Sequence, residues 1–185
     1  MHSNLRMAAP RAVLDKRPDG SLLLRSPEPL GPSARCVTEW LVHWSRKAPE
    51  STFLAERKGD AWRKVTYLEA YGAVRRIGQA LIDLGLGAEK PLAILSDNSV
   101  DHALLALGAM HVGIPVAPIS PAYSLMSKDF GKLKYIFELV KPGAAWTADP
   151  QKFAPALAAV NATSISLDAL LETNPGSTLE REFSK

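Results

Sequence analysis

The sequence predicts an α/β module of βαβ units with an N-terminal hairpin arm. Three observations lead there. Short apolar runs alternate with amphipathic stretches from Pro91 onward, these stretches are punctuated by Gly113 and Pro142-Gly143, and Pro18-Asp19-Gly20 separates two apolar runs near the front. With 185 residues, 46% of them hydrophobic and 22% charged, the chain can bury a sizeable core.

Each element follows from local chemistry. Ala12 to Arg25 reads as a hairpin because Gly20 supplies a positive φ after Pro18 and Asp19. Ser26 to Ser33 carries three prolines and a glycine and reads as an extended linker, with the packed body beginning near Ala34. Val37 to Lys47 is a helix with Thr38 as its candidate N-cap and Trp40, Leu41 and Trp44 at helical spacing. Thr52 to Glu56 and Trp62 to Val65 are short strands about a polar turn at Gly59.

Thr66-Tyr67-Leu68-Glu69 has the form of a capping box and opens a helix to about Leu84. Its apolar face holds Tyr71, Val74, Ile77, Leu81 and Leu84, and Gly85 stands at the C-terminal cap. Pro91 to Ser96 is a buried strand, Asp97-Asn98-Ser99 caps a nearly all-apolar helix to about Val112, and Ile114 to Pro118 is the next strand. Ser127 is expected to open a helix presenting Phe130, Leu133, Phe137 and Val140, ended by Pro142-Gly143 before the strand Ala144 to Ala148. A weaker third unit has a helix over Pro150 to Val160, interrupted by Pro155, and a strand over Thr163 to Ser166; Glu172 onward reads as loop.

Charge and cysteine usage exclude several classes. The net charge is +3, but cations and acids alternate, so there is no nucleic-acid stripe. The single cysteine, Cys36, cannot form an internal disulfide and fits a reducing, cytoplasmic setting. Ala103 to Ile119, the longest mostly apolar stretch, is broken by two glycines and two prolines and does not read as a membrane span. Neither a secretory h-region nor a cleavage site follows the first fourteen residues, which hold Arg6 and Arg11.

If the strands are parallel, the loops Asp97 to Ser99, Ile119 to Met126 and Asp149 to Gln151 share one carboxyl edge, where open α/β sheets bind ligands. Asp97, Asn98, Ser120 and Tyr123 are then candidates for a ligand-facing rim. Equally, Asn98 or Ser99 can serve as a helix cap and Ser120 to Tyr123 as a rigid turn. Gly85-Leu86-Gly87 is no dinucleotide loop, since it follows a helix and precedes a strand. Gly176-Ser177-Thr178 lacks the lysine and second glycine of a phosphate loop and reads as plain loop.

His102 and His111 lie nine residues apart, on opposite faces of one helix, and cannot share a metal. Neither they nor His2 and His43 have ligand-spaced partners, and no metal site is expected. Cys36 reads as structural because no histidine accompanies it. Trp40 and Trp44 stand one turn apart and read as a core pair, with stacking on an aromatic ligand as the alternative. No nucleophile, base and oxyanion site assemble together, so no catalytic, cofactor-binding or metal-ligating residue is assigned.

The strings Val65-Thr66-Tyr67-Leu68-Glu69-Ala70 and Leu107 to Pro118 resemble the first two core motifs of the adenylate-forming, AMP-binding superfamily of acyl-CoA synthetases, in the right order. Leu92 to Asn98 is similar to the strand and turn between them. Arg25 to Gly31 and Ser120 to Leu133 resemble feruloyl-CoA synthetases in particular, and the likeness covers about Val13 to Leu171. It implies the N-terminal part of the large domain of an adenylate-forming enzyme: a hairpin arm and linker over 1–35, a partial α/β domain over 36–172, and over 173–185 a loop leading toward a phosphate-binding region. It also implies a ligase that joins a hydroxycinnamate-type aryl acid to coenzyme A, using ATP and Mg²⁺ and passing through an acyl-adenylate.

In that family the phosphate loop, the metal-balancing carboxylate and the ribose contacts come from later motifs, which have no counterpart in this sequence. The resemblance therefore implies a truncated product, inactive alone and prone to self-association through the apolar helix Val100 to Val112. The alternative is a stand-alone α/β interaction module that reuses the ligase scaffold.

Overall fold

The computed structural model describes residues 11–175. The chain divides into two compact units between Ala34 and Arg35.

The first unit is the expected hairpin. Strands β1 (Val13–Lys16) and β2 (Leu22–Arg25) pair antiparallel, with Val13 opposite Arg25 and Lys16 opposite Leu22. Gly20 takes φ +84°, as the turn requires. Asp19 Oδ1 accepts from the Ser21 hydroxyl at 2.7 Å and the Ser21 backbone at 2.9 Å, which holds the Asp19 carboxyl below its usual pKa.

In the second unit helix α1 (Val37–Lys47) begins two residues earlier than Thr38 allows as a cap. The cap is Cys36, in extended backbone and without a side-chain bond to the helix backbone, while Thr38 lies fully buried inside the first turn. The reason is burial: Thr38 sits on the inward stripe with Leu41 and Ser45. Trp40 is 52% exposed and so is not core; only Trp44 packs inward, stacked on Tyr67 at 6.0 Å, which in turn stacks on Phe53 at 4.7 Å.

Strands β3 (Thr52–Lys58) and β4 (Ala61–Thr66) pair antiparallel around Gly59 and run longer than expected. The capping box forms at Thr66: its hydroxyl accepts from Glu69 N at 3.2 Å, and Glu69 Oε2 accepts from Thr66 N at 2.8 Å. Helix α2 (Tyr67–Asp83) buries Val74, Ile77 and Leu81 completely, and Gly85 follows at φ +77°. Leu84 departs from the expected face, being 54% exposed, because the helix has ended and the chain swings toward β5.

The central sheet has order β6-β5-β7, all parallel, with β5 (Leu92–Leu95) in the middle, β6 (Val116–Ile119) on one side and β7 (Ala144–Thr147) on the other. Helix α3 (Val100–His111) joins β5 to β6; the short α4 (Ala122–Leu125) and α5 (Gly131–Val140) join β6 to β7. The two crossovers run in opposite directions across the sheet. Connections of one hand then place α3 and α5 on opposite faces.

The cores agree with that layering. Leu92 and Ile94 of β5 join the cluster built by α2 and α3, whereas Ala93 and Leu95 join Leu133 of α5 and residues of α6 (Ala154–Ala159). The period of two along β5 thus serves both faces of a doubly covered sheet.

Three local expectations are corrected. Helix α5 starts at Gly131 rather than near Ser127, because Phe130 takes a left-handed φ of 55° and the Ser127 hydroxyl accepts from Phe130 N at 3.0 Å, closing a turn instead. Pro155 does not interrupt α6 but lies in its first turn, where its missing N–H is no loss. The strand over Thr163 to Ser166 reduces to one bridge between Ala145 and Ser164, since Ser164 Oγ takes the Thr147 N–H at 3.0 Å in place of a backbone carbonyl. Ser166 then caps α7 (Leu167–Leu171), a helix the sequence did not reveal.

The apolar helix α3 is also not left facing water. Val100, Leu104, Leu105, Gly108, Ala109 and His111 are buried within the chain, and Gly108 lets α2 approach. Of the large apolar side chains of α3 only Met110, 44% exposed, faces outward; the other exposed ones lie elsewhere, among them Leu84, Tyr135 and Leu139.

Candidate functional site

The parallel sheet brings the loops after β5, β6 and β7 to one edge, as the sequence pattern requires. Of the four rim candidates, Asp97, Asn98 and Ser120 are exposed there. Ser99, not Asn98, is the cap of α3, its hydroxyl accepting from His102 N at 3.0 Å. Ser120 to Tyr123 forms the first bend of a helical turn, with Tyr123 N donating to Ser120 O at 3.0 Å. Tyr123 is half-buried against the α5 and α6 core, with Lys132 Nζ 5.2 Å above its ring. At the third loop Asp149 Oδ1 accepts from the backbones of Gln151 and Lys152, both at 3.0 Å, and so organises its own turn.

Two clusters at this edge carry no local sequence signal. Glu56 on β3 accepts from Val100 N at 2.8 Å, placing a carboxylate on the first turn of α3. Arg63 on β4 pairs with Glu56 at 3.0 Å and Asp101 at 2.7 Å, clasping the hairpin to that helix. Hydrogen bonding to Asp101, foremost, raises the Arg63 pKa above its usual value, so the guanidinium stays charged. The second cluster joins Ser96 Oγ to His102 Nδ1 at 2.9 Å. Glu56 and Val100 are 44 residues apart, and a charge on a hairpin strand reads as ordinary surface until the partner is placed.

The remaining candidates go to separate surroundings. His111 is buried against Tyr71, ring to ring at 6.0 Å, while His102 faces Ser96. Cys36 Sγ lies 3.4 Å from Thr38 Oγ1. Gly85 to Gly87 forms the turn between α2 and β5. Gly176-Ser177-Thr178 lies outside the described residues. Among the described residues no group of three His, Cys, Asp or Glu could hold a metal ion, so they do not by themselves fit the Mg²⁺ that ATP chemistry needs. No helix among them is long and apolar enough to cross a membrane.

An open, parallel, doubly covered sheet with its loops gathered at the carboxyl edge defines a ligand-binding class of α/β protein. The chain belongs to the AMP-binding enzyme family, within the adenylate-forming superfamily: the model of that family matches residues 41–182. A fatty acyl-adenylate ligase from L. pneumophila, solved with acyl adenylate and pyrophosphate, is similar at a TM-score of 0.63 and 16% identity, over 78% of this chain and 26% of that one. VinN, solved with L-aspartate, gives 0.61 and 17%, over 80% of this chain and 38% of VinN. The N-terminal subdomain of Klebsiella oxytoca NpsA, in complex with 3-hydroxyanthranilyl-AMSN, gives 0.56 and 17%, over 78% and 32%. At these identities the likeness is one of fold, and the chain spans about a quarter to two fifths of the length of those structures. Comparison with curated proteins gave no match.

Proposed function

We propose that this chain supplies the front of the acid-activating domain of an ATP-dependent acid-CoA ligase of the feruloyl-CoA synthetase kind, acting in the cytoplasm. The observation that carries the reading is the family match over residues 41–182, which includes both resembled core motifs. The strings Arg25 to Gly31 and Ser120 to Leu133 favour a hydroxycinnamate as the acid. In the reaction a carboxylate oxygen attacks the α-phosphorus of ATP and expels pyrophosphate. The coenzyme A thiol then attacks the acyl carbon and expels AMP.

This chain's residues build and position one edge of the site rather than perform those steps. The Thr66 capping box orients α2, α2 supports α3 through the Gly108 contact, and α3 with β5 and β6 presents the turn at Asp97 and Asn98. Pyrophosphate needs a lysine-bearing glycine loop, which this sequence lacks, and Mg²⁺ needs a carboxylate placed to hold it.

Two exchange assays test the reading. The chain alone should catalyse no ferulate-dependent exchange of pyrophosphate into ATP. A chimera carrying residues 13–171 in place of the matching front of a feruloyl-CoA synthetase should catalyse it. Exchange by the chain alone, or a folded chimera without exchange, would overturn the proposal.

A further inference from the structure

The turn between β5 and α3 is held by one residue from two directions. Ser96, 5% exposed at the end of the β5 run, places its hydroxyl 2.9 Å from His102 Nδ1. One turn into α3, the His102 backbone N–H donates to Ser99 Oγ at 3.0 Å. His102 therefore bonds on both sides of Asp97 and Asn98, which are exposed at the carboxyl edge.

Burial bears on which group donates in the side-chain bond. Ser96 Oγ has no other hydrogen-bond partner among the described residues. Were Nδ1 to carry the ring proton, it would donate to Oγ and leave the buried serine proton without an acceptor. A serine donor with His102 as the Nε2–H tautomer satisfies that proton, and this is the arrangement that a tautomer measurement tests. The start of α3 is meanwhile held independently, by Glu56 on Val100 N and by Arg63 on Asp101.

We infer that His102 is the positioning residue of this edge: by accepting the Ser96 hydroxyl at Nδ1 and donating its backbone N–H to Ser99, it fixes the direction in which Asp97 and Asn98 are presented. That this matters for ligand binding rests on the ligase reading above; the positioning itself does not. Because the Glu56 and Arg63 clasp holds the helix separately, loss of the imidazole should loosen the turn and leave α3 in place.

The test uses the ¹⁵N-labelled chain. A long-range ¹H–¹⁵N correlation spectrum should show His102 as the Nε2–H tautomer. Backbone order parameters at Asp97 and Asn98 should fall from about 0.85 to below about 0.6 in His102→Ala. They should recover in His102→Asn, whose Oδ1 falls near the position of Nδ1, while β5 and α3 stay unchanged throughout. An Nδ1–H tautomer, a turn as rigid in His102→Ala as in the parent, or an asparagine variant as loose as the alanine one would overturn the inference. The tautomer is read in the parent chain and decides even if a variant fails to fold. An inactive chimera with the predicted turn dynamics would sink the ligase reading alone. An active chimera whose turn ignores His102→Ala would sink this inference alone.

Discussion

Gly108→Ala probes the contact on which the site's support depends. Gly108 is where α3 crosses α2, and an added Cβ there would stand 2.5 Å from Ile77 Cγ2, 2.7 Å from Ile77 Cβ and 3.4 Å from Val74 O. Carbon atoms pack best at about 3.5–4.0 Å, so the helices must part by about 1 Å or Ile77, fully buried, must move. Overpacking of this kind destabilises by about 1–3 kcal/mol. The better helix propensity of alanine offsets up to about 1 kcal/mol of that. A net loss of up to about 2 kcal/mol follows, which lowers Tm by up to roughly 8 °C for a chain of this size. Thermal and urea unfolding followed by circular dichroism measure it. Ile77→Val, which removes only Cδ1, should not relieve the clash; Ile77→Ala, which removes the nearest atom, should couple favourably with Gly108→Ala in a double-mutant cycle. A raised Tm for Gly108→Ala, or relief by valine, would refute the close-approach argument.

Thr66→Ala should cost about 1 kcal/mol in urea unfolding by removing the cap from α2. The Thr66 backbone N–H, and then its side chain, hold the Glu69 carboxyl below its usual value of 4.5, so the Glu69 half of the box is at full strength above that pH and fades as pH falls through the lowered folded value. A Glu69 carboxyl titrating by NMR at or above its usual value would contradict the capping box. Arg63→Ala should destabilise by about 1–3 kcal/mol, since it leaves the partly buried Glu56 and Asp101 carboxylates unpaired; Arg63→Lys, with one point charge in place of a fork, should recover only part. Self-association and binding of a hydrophobic dye are expected through the exposed Leu84, Tyr135 and Leu139 rather than through α3, so Leu139→Lys should reduce both. A monodisperse parent chain with no dye binding would remove that expectation.

What the sequence revealed and what it hid divide along a physical line. Thr66 and Glu69 are three residues apart and their bonds are local, so the capping box was readable as a string. The βαβ order was readable because buried strands and amphipathic helices have distinct periods, and from it came the shared edge for Asp97, Asn98 and Ser120. Thr38 was misread because its propensity to cap was overridden by tertiary burial beside Leu41. Ser127 was misread because its hydroxyl capped a turn ending at Phe130 rather than a helix. The contacts of Glu56 with Val100 and of Arg63 with Asp101 depend on which hairpin lies beside which helix, a fact no local window contains, while Ser96 and His102 are only six residues apart but carry no motif that marks their bond. A helix as apolar as α3 was expected to lack partners, yet α2 and the sheet supply them within this chain.

The most direct test of the central claim is ferulate-dependent exchange of labelled pyrophosphate into ATP by the chimera, run beside the chain alone. If residues 13–171 are the front of an acid-activating domain, the chimera should exchange at a rate within about tenfold of the parent synthetase while the chain alone stays at the buffer blank. A chimera that folds, melts cooperatively and shows no exchange above the blank would contradict the claim and favour an interaction module built on the same scaffold.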